Sequence, residues 1–459
     1  GSRASTEGVR LRLELFVADL VLNGETGWDL GGGNIRWAAG GQFRYDRTIQ
    51  DPDVFYDANA TPCVDSPPYG DGQPFCPTTA NGPYLFNANL RPYDVNRKIS
   101  SVFAETLIPI TDDLEVTLAA RYEYYESQGE TFNPKASVRW QAMDWLALRA
   151  SAGTTYRAPA ATITTDNFTR GLTNASGTYR ANDLYGNPDL EPETAFTYNI
   201  GAAVDFGGFR ATVDYWNFDF EDALTAEATA DLIALMFPGG AAAPLGNCGN
   251  AAYAAVQARF TFAGACNRSN ILSYRTQYIN GGKVETSGID FQANLDVGEV
   301  FGGDLSTGFD GTYLLKYDEA PYEIEGFPSN AAGVQKRAGT YRASIFTGYN
   351  RLRANAYVNW SMDIHNLRWQ VRHVSSTNQI EALPIALANN VKSTAKIAEY
   401  WQHDLTYRVE LPWETVATLT VQNLFDEDPP FAIGTQYNYD PGSGNPLGRV
   451  YSLAVKKRF

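Results

Sequence analysis

Segments of about ten residues in which apolar and polar side chains alternate recur along the whole chain. In "GIDFQANLDV" the residues between the apolar positions are Asp, Gln or Asn, and the apolar positions themselves are Ile289, Phe291, Ala293, Leu295 and Val297. A period of two places successive side chains on opposite faces of a β-strand. The polar face carries charges in segment after segment, which suits a water-filled or plugged barrel lumen better than a soluble core.

About fifteen segments of this kind are present, and the connections between them alternate in length. The segments lie near 9–22, 34–47, 98–109, 114–126, 132–141, 145–156, 194–205, 209–221, 284–297, 304–317, 340–349, 352–360, 399–410, 415–425 and 447–459. The long connections are 48–97, 157–193, 222–283, 318–339, 361–398 and 426–446. The connection 127–131 is the one exception, because it is short at a place where the alternation calls for a long connection. Short turns at one rim and long loops at the other are typical of an outer-membrane barrel.

The sequence therefore predicts an all-β fold, a transmembrane antiparallel β-barrel that occupies residues 1–459 as one domain. The long loops are expected to be extracellular, and the C-terminus to be periplasmic. With an odd number of strands, the first strand runs in the same direction as the last. Bacterial barrels have even strand numbers, and an open sheet edge is costly in lipid. We therefore expect this chain to be the C-terminal portion of a barrel, which an N-terminal partner closes.

Composition and charge support a barrel embedded in outer-membrane lipid and exclude other classes. The chain holds 27 Tyr, 24 Phe and 9 Trp, which favour strands, and 41 Gly and 23 Pro, which favour turns. Its net charge of −16 argues against nucleic acid as a partner, because phosphate binding requires clustered Lys and Arg. No run approaches the ~20 apolar residues that a membrane helix requires, so a helical span is excluded.

Four cysteines form two local pairs. Cys63 and Cys76 lie in one loop segment rich in Gly and Pro, and Cys248 and Cys266 lie in another segment rich in small residues. Two loop disulfides in an oxidising compartment are the preferred interpretation, with four free thiols in a cytosolic protein as the alternative. A zinc site is not indicated, because neither a CxxC pair nor paired histidines accompany these cysteines.

Few residues suggest catalytic or metal chemistry. His365 and His373 fall in a predicted long loop and are interpreted as surface histidines in preference to metal ligands, whereas His403 is expected to point outward. No GxSxG or HExxH motif is present, so we predict that the chain is not an enzyme. Solvated acidic loops are the default interpretation, with Ca²⁺ binding as the alternative, for Asp318, Glu319, Glu323 and Glu325 and for Asp51, Asp53, Asp57, Asp65 and Asp71.

Six stretches, taken in order, resemble the TonB-dependent outer-membrane receptors. They are "SVFAETLIPITDDLEVTLAARYEYY" (101–125), "FNPKASVRWQAMDWLALRASAGTTYRAP" (132–159), "GNPDLEPETA" (186–195), "VDYWNFDFEDAL" (213–224), "NGGKVETSGIDFQANL" (280–295) and "VQNLFDEDPPF" (421–431). The terminal Phe459 completes the set. The resemblance covers nearly the whole chain, and as a set these motifs are highly specific.

This resemblance implies a barrel of about 22 strands whose lumen is filled by an N-terminal plug. Such receptors bind a scarce, bulky nutrient and import it with energy from an inner-membrane complex that contains TonB. About fifteen of these ~22 strands would be present here, with the plug and the other strands on a missing segment or a separate chain. The last strand resembles the signal by which such barrels are recognised for assembly, carried by Tyr451, Leu453 and Phe459.

Aromatic and basic residues in the predicted long loops are the candidate ligand contacts: Tyr179, Tyr185, Trp369, Arg372, Tyr437 and Tyr439. Their rings suit stacking on sugars or siderophores, and they suit packing between loops equally well. An oligosaccharide or a similar organic nutrient is the preferred ligand, and a peptide or a metal chelate remains compatible. Two other functions stay open, a passive porin-like channel and a surface adhesion or assembly protein on a barrel scaffold.

Overall fold

The computed structural model describes residues 8–54, 56–57, 60, 90–175, 178–329, 333–342, 347–379, 396–432 and 437–458. Cys63, Cys76 and Phe459 lie outside these residues, so what the sequence indicates for them stays a prediction. Among the described residues, no helix is both long enough and apolar enough to cross a membrane.

One large antiparallel sheet dominates the fold. Fifteen strands follow a single path in which each pairs with its neighbours in chain order, and one short strand pairs beside the path as the sixteenth. The path consists of Val9–Asp29 (β1), Asn34–Pro52 (β2), Tyr93–Thr111 (β3), Leu114–Tyr125 (β4), Gly129–Met143 (β5), Leu146–Arg157 (β6), Glu193–Phe206 (β9), Phe209–Glu221 (β10), Val284–Val300 (β14), Gly303–Glu319 (β15), Leu352–Met362 (β21), His365–Val374 (β22), Tyr400–Leu411 (β25), Thr415–Gln422 (β26) and Val450–Lys457 (β27). The short strand is Gln335–Lys336 (β18), which pairs with β15.

The connections along this path are short at one rim and long at the other. At the first rim, strands are joined by 30–33, 112–113, 144–145, 207–208, 301–302, 363–364 and 412–414. At the second rim only 126–128 is short, and the other connections are 53–92, 158–192, 222–283, 320–351, 375–399 and 423–449. The alternation predicted from the sequence is therefore confirmed outside 318–398, including its single exception.

The strand predicted at 340–349 is wrong. The described residues of this segment, 340–342 and 347–349, contribute two short loop strands, Thr340–Arg342 (β19) and Thr347–Gly348 (β20), to a small sheet outside the main path. Tyr341 is fully buried there. The apolar Tyr341 of this alternating segment is therefore buried within a loop and not placed on the barrel wall.

The loop predicted at 361–398 is also partly wrong, because His365–Val374 is the barrel strand β22. The segment alternates as a strand does, but His365 and His373 stand at two of its apolar positions. The ring of His365 stacks on Tyr407 at 5.9 Å, and that of His373 lies 4.0 Å from Trp401, measured between ring centroids. Aromatic neighbours therefore let ionisable side chains share the apolar face.

The side chains of the main sheet alternate between an apolar and a polar face. On β27, Tyr451, Leu453 and Val455 are 66%, 72% and 65% exposed, while Ser452 and Lys456 point to the opposite face. An apolar face that the chain itself leaves uncovered, backed by a polar one, is the pattern of a wall between lipid and an aqueous lumen. The expected orientation of the last strand agrees with this pattern.

Neither edge strand of the main sheet has a second partner within the described residues. β1 pairs with β2, and β27 pairs with β26.

The long loops build two further sheets at their rim. The first joins loops 158–192 and 222–283 through Phe168–Ala175 (β7), Thr178–Tyr185 (β8), Leu224–Ala226 (β11), Phe260–Phe262 (β12) and Ile271–Asn280 (β13). The second joins loops 320–351 and 375–399 through β19, β20, Thr377–Gln379 (β23) and Lys396–Ile397 (β24). Loop 320–351 also forms a hairpin from Glu323–Ile324 (β16) and Phe327–Pro328 (β17).

A hydrophobic core of its own joins loops 222–283 and 320–329, and pairing of β8 with β13 adds loop 158–192. We call 158–192, 222–283 and 320–329 the loop cap. The cap contains the helices Thr229–Met236 (α1) and Ala254–Ala258 (α2) and three 3₁₀ turns, Gly240–Ala242, Ala251–Tyr253 and Arg268–Asn270. Its core includes Leu232, Met236, Phe237, Val256, Ile271, Tyr274 and Ile324. The disulfide Cys248–Cys266 lies against this core, which confirms the pairing predicted for these two cysteines.

Candidate functional site

Ion pairs line the polar face of the main sheet. Arg149 on β6 donates from Nε and Nη2 to the two carboxylate oxygens of Asp214 on β10, at 2.7 and 2.5 Å. The pair reaches across β9, where Gly201 leaves room for it, because a Cβ at that position would lie 2.0 Å from Asp214 Oδ1. Two-pronged pairing of this kind fixes both side chains in orientation as well as in place.

A polar groove of about 490 Å³ opens on the same face nearer the loops. Its lining includes Asp290, Asp310, Thr312, Arg353, Asn355 and Arg372. Arg372 on β22 donates to Asp404 on β25, and Asn355 donates to Asp310 at 2.9 Å. Both Arg353 and Arg372 remain exposed, so a ligand with acceptor oxygens would reach the guanidinium N–H groups that these bonds within the chain do not use.

The loop cap presents a second cluster of arginines. Arg170 on β7, Asp183 on β8 and Arg275 on β13 are register neighbours and therefore share one face of the loop sheet. Phe168 and Tyr185 form the next row, with ring centroids 4.6 Å apart and an interplanar angle of 22°. We call these five residues the arginine–aromatic face.

Positive charge concentrates at this face. Asp183 accepts two hydrogen bonds from Arg170, at 2.5 and 2.6 Å. The guanidinium of Arg91, at the end of loop 53–92, stacks 3.4 Å above the ring of Phe168, and burial followed by the nearby charge of Arg170 lowers the pKa of Arg91. Arg275 stands 5.3 Å from the Tyr185 ring, is exposed, and makes no ion pair with any residue that the structure describes. An anionic or electron-rich ligand would complement these groups.

Two of the predicted ligand contacts, Tyr179 and Tyr185, belong to β8 and point to the arginine–aromatic face. Tyr179 is 67% exposed near the tip of the β7–β8 hairpin. Tyr185 instead lies between Phe168 and Arg275, so its ring packs loops together. Arg275 was not singled out from the sequence, because nothing local distinguishes it from other loop arginines.

Trp369 and Arg372 are not loop residues as predicted, since both lie on β22. Their side chains point to opposite faces. The ring of Trp369 stacks on His403 at 5.6 Å on the apolar face, which also confirms the outward direction expected for His403. Arg372 faces the polar groove, so the structure leaves Arg372 in a position to contact a ligand and removes Trp369 from one.

Tyr437 and Tyr439 do lie in a long loop, with ring centroids 6.1 Å apart. The same loop reaches the polar groove, because Arg353 donates to the carbonyl of Gly442 at 3.2 Å and to Ser443 Oγ at 3.3 Å. Loop 423–449 therefore contacts the upper end of the barrel wall beside Arg353, a residue that the sequence analysis did not select.

Three of the acidic loop residues considered for Ca²⁺, Asp318, Glu319 and Glu325, pair with cations of the chain. Glu319 accepts from Arg337 at 2.7 Å and Glu325 accepts from Arg259 at 2.6 Å. Within the described ranges, no three His, Cys, Asp or Glu side chains gather as metal ligands. Asp65 and Asp71 lie outside those ranges, and calcium binding stays a prediction.

Comparison with known proteins identifies the family. A family model described as "TonB dependent receptor-like, beta-barrel" matches residues 4–424. The chain belongs to this family. The main sheet is accordingly part of an outer-membrane barrel with extracellular long loops, and such receptors are transporters, not enzymes.

Curated relatives share short regions with this receptor. The ferrienterobactin receptor of Escherichia coli is 28% identical over 141 residues, which are 29% of this chain and 18% of that protein. The probable TonB-dependent siderophore receptor PirA of Acinetobacter baumannii is 23% identical over 133 residues, 28% of this chain and 18% of the relative. The heme/hemopexin utilization protein C of Haemophilus influenzae is 26% identical over 149 residues, which are 28% of this chain and 20% of that protein.

Solved structures share the fold over almost all of this receptor. The ferric enterobactin receptor PfeA of Pseudomonas aeruginosa, crystallised with enterobactin, superposes with a TM-score of 0.64 at 16% identity. PirA of Acinetobacter baumannii gives 0.62 at 14% identity. These alignments cover 97% and 98% of this chain but only 54% and 55% of the other chains, so the chain spans about half the length of its structural relatives.

Proposed function

We propose that the chain is the ligand-binding C-terminal part of a TonB-dependent receptor that imports an iron chelate, either a siderophore or a haem. This proposal replaces the oligosaccharide preferred from the sequence. The observation that carries it is the set of exposed arginines, Arg275 on the loop cap and Arg353 and Arg372 in the polar groove. Guanidinium groups bind the carboxylates and phenolate-type oxygens of such chelates, whereas neutral sugars call mainly for stacking rings and amides.

The relatives support the same ligand class. The E. coli and A. baumannii relatives are named as receptors for ferrienterobactin and for a siderophore, and the H. influenzae relative is named for haem and hemopexin. No relative reported above is named for a sugar. The ligand class is thus inferred from two independent sources, the charge of the candidate site and the names of similar proteins.

In the proposed mechanism, the chelate is captured between the loop cap and the polar groove. A plug, supplied by the part of the receptor that extends beyond the described sheet, would close the lumen beneath it. The inner-membrane complex that contains TonB would then pull on the plug and release the chelate inward. The polar wall, with pairs such as Arg149–Asp214, would present hydrogen-bonding groups to the moving plug and ligand.

Binding to the native receptor, extracted from outer membranes, tests the ligand class. Tryptophan fluorescence would be followed during titration with ferric enterobactin, with haem and with a maltooligosaccharide. We expect saturable quenching by at least one iron chelate and none by the sugar. Arg372→Gln, which keeps most of the side-chain volume but removes the charge, should weaken chelate binding about tenfold or more, because it removes a charged hydrogen-bond donor.

Trp369→Phe is the matched control, because Trp369 lies on the same strand but faces outward. Its binding should equal that of the wild type. Sugar binding without chelate binding would refute the proposal in favour of an organic nutrient. Iron uptake that persists in cells lacking TonB would instead favour a passive channel.

A further inference from the structure

An ion cluster, in which Arg259 and Glu227 are buried and the Glu325 side chain is 29% exposed, joins two loops of the cap. The side chain of Arg259 is 5% exposed and donates from Nη1 to Glu227 at 2.7 Å and from Nε to Glu325 at 2.6 Å. Glu227 is 1% exposed and belongs to the same loop as Arg259, whereas Glu325 comes from the β16–β17 hairpin of the next loop. Removing Arg259 or Glu227 would leave an uncompensated buried charge, and the carboxylate of Glu325 connects this buried pair to the hairpin.

The cluster is bonded directly to the strand that carries Arg275. The backbone N–H of Arg275 donates to the carbonyl of Arg259 at 2.9 Å. Two residues further along β13, the N–H of Gln277 donates to the Glu227 carboxylate at 3.0 Å, and the N–H of Glu227 donates back to the Gln277 carbonyl. The backbone of β13 is therefore anchored at Arg275 itself and two residues beyond it by residues of this cluster.

Glu325 occupies an unfavourable backbone conformation. Its φ is +50° and that of Gly326 is +80°, as in a two-residue hairpin turn of type I′. Asn, Asp or Gly is usual at the first position of such a turn, because a longer side chain costs about 1–2 kcal/mol in the left-handed region. A strained residue that persists points to a role for its side chain, and here that side chain reaches Arg259.

The hairpin that carries Glu325 is inserted into the core of the neighbouring loop. Ile324 is fully buried, and the ring of Phe327 stacks 4.4 Å from that of Tyr253. Just before the hairpin, Tyr322 Oη accepts from the N–H of Ala228 at 2.7 Å and donates to Asp231 at 3.0 Å. Docking of the hairpin therefore brings Glu325 to Arg259 as one event.

We propose that Glu325 and Arg259 are positioning residues, which hold β13 in place and so couple docking of the β16–β17 hairpin to ligand binding at Arg275. The part of this inference that concerns the ligand rests on the proposed function. Because loop 320–351 also supplies β19 and β20 to the second loop sheet, the same coupling would connect both halves of the extracellular surface.

Hydrogen exchange of the native receptor tests the positioning role without any ligand. Glu325→Gln preserves the shape and the turn but removes the charge, and it should raise exchange at the Arg275 and Gln277 amides about ten- to a hundredfold. Glu325→Asp, which keeps a carboxylate, should retain most of the protection. Glu323→Gln, on an exposed side chain of the same hairpin, is the control and should leave exchange unchanged.

Two outcomes would overturn the proposal. One is unchanged exchange at β13 in Glu325→Gln. The other is loss of protection in Glu325→Asp equal to that in Glu325→Gln, which would assign the effect to the turn and not to the charge. Hydrogen exchange in α1 reports whether the cap core remains folded. If exchange in α1 rises together with exchange in β13, the variant unfolds the cap generally, and this result contradicts a positioning role.

Titration with ferric enterobactin tests the coupling. Glu325→Gln should weaken binding about tenfold in the wild-type background but little in an Arg275→Gln background, since the effect acts through Arg275. Equal losses in both backgrounds would refute coupling through Arg275. If the wild type does not bind ferric enterobactin, the proposed function fails for that chelate, and the exchange experiment alone decides the positioning role.

Discussion

Truncating Ile324 to alanine should undock the β16–β17 hairpin while leaving the barrel intact. Ile324 is 0% exposed and packs with the buried side chains of α1, α2 and β13. The hairpin belongs to a different loop from the rest of this core. The side chain of Ile324 therefore contributes to an equilibrium between docked and undocked loops. Loss of the packing should therefore appear locally, as opening of residues 322–329.

The magnitude follows from the burial of Ile324. Truncation of a fully buried Ile to Ala costs about 2–5 kcal/mol, the higher values applying where the surroundings fail to collapse around the cavity. Each 1.4 kcal/mol is a factor of ten, so the undocked population should rise from about thirtyfold to several thousandfold. The disulfide Cys248–Cys266 holds the facing loop in place, which favours a persistent cavity and the upper part of this range.

The amide of Ala228 reports the opening, because it donates to Tyr322 Oη at 2.7 Å between the two loops. Its exchange rate should rise with the undocked population, whereas amides of β14 and β15 should keep their wild-type rates. Val334→Ala, in the same loop but at a residue that is 54% exposed, is the matched control and should change little. Wild-type exchange at Ala228 in Ile324→Ala would refute the inference that the hairpin is held by this core.

Three further predictions concern the cap and the wall. Replacing Cys248 and Cys266 by serine should destabilise the cap by about 3 kcal/mol, seen as faster exchange in α2 with unchanged barrel melting. Burial raises the pKa of Asp231, so the carboxyl group binds its proton more tightly in the folded cap than in the unfolded chain. The protection of cap amides from exchange should therefore fall as the pH rises through the raised pKa. Asp231→Asn should make this protection less dependent on pH. Leu453→Arg on the outward face should cost about 2–4 kcal/mol and reduce assembled receptor on the cell surface. Ser452→Arg on the polar face should be tolerated, and equal surface levels for these two variants would contradict the assignment of faces.

Local alternation made most of the barrel predictable. A strand is recognisable from side chains only two residues apart, and fourteen of the fifteen predicted segments accordingly correspond to strands of the main path. Alternation fails as a guide at two segments: 340–349 was predicted as a barrel strand and is not one, and 365–374 was predicted as a loop and is a barrel strand. His373 stands at an apolar position because it packs 4.0 Å from Trp401, and that neighbour is 28 residues away in the chain.

The loops were predictable only as loops. Their length and the Cys248–Cys266 pairing follow from local spacing, but the cap is held by contacts between residues far apart in sequence. Tyr322 meets Ala228 across 94 positions, and Arg259 meets Glu325 across 66. No local periodicity encodes such contacts, and the candidate residues in these segments could be placed only once the loops were folded.

The sequence by itself determined the class of protein, the alternation of short turns and long loops, and the outward face of the last strand, because each depends on backbone geometry repeated every two residues. The tertiary structure decided which residues meet. It moved Trp369 from a ligand-binding loop to the apolar face, kept Arg372 beside the groove, and brought Arg275 to a face shared with Tyr185. The physical reason is that strand register and loop packing, not composition, set the distances between side chains.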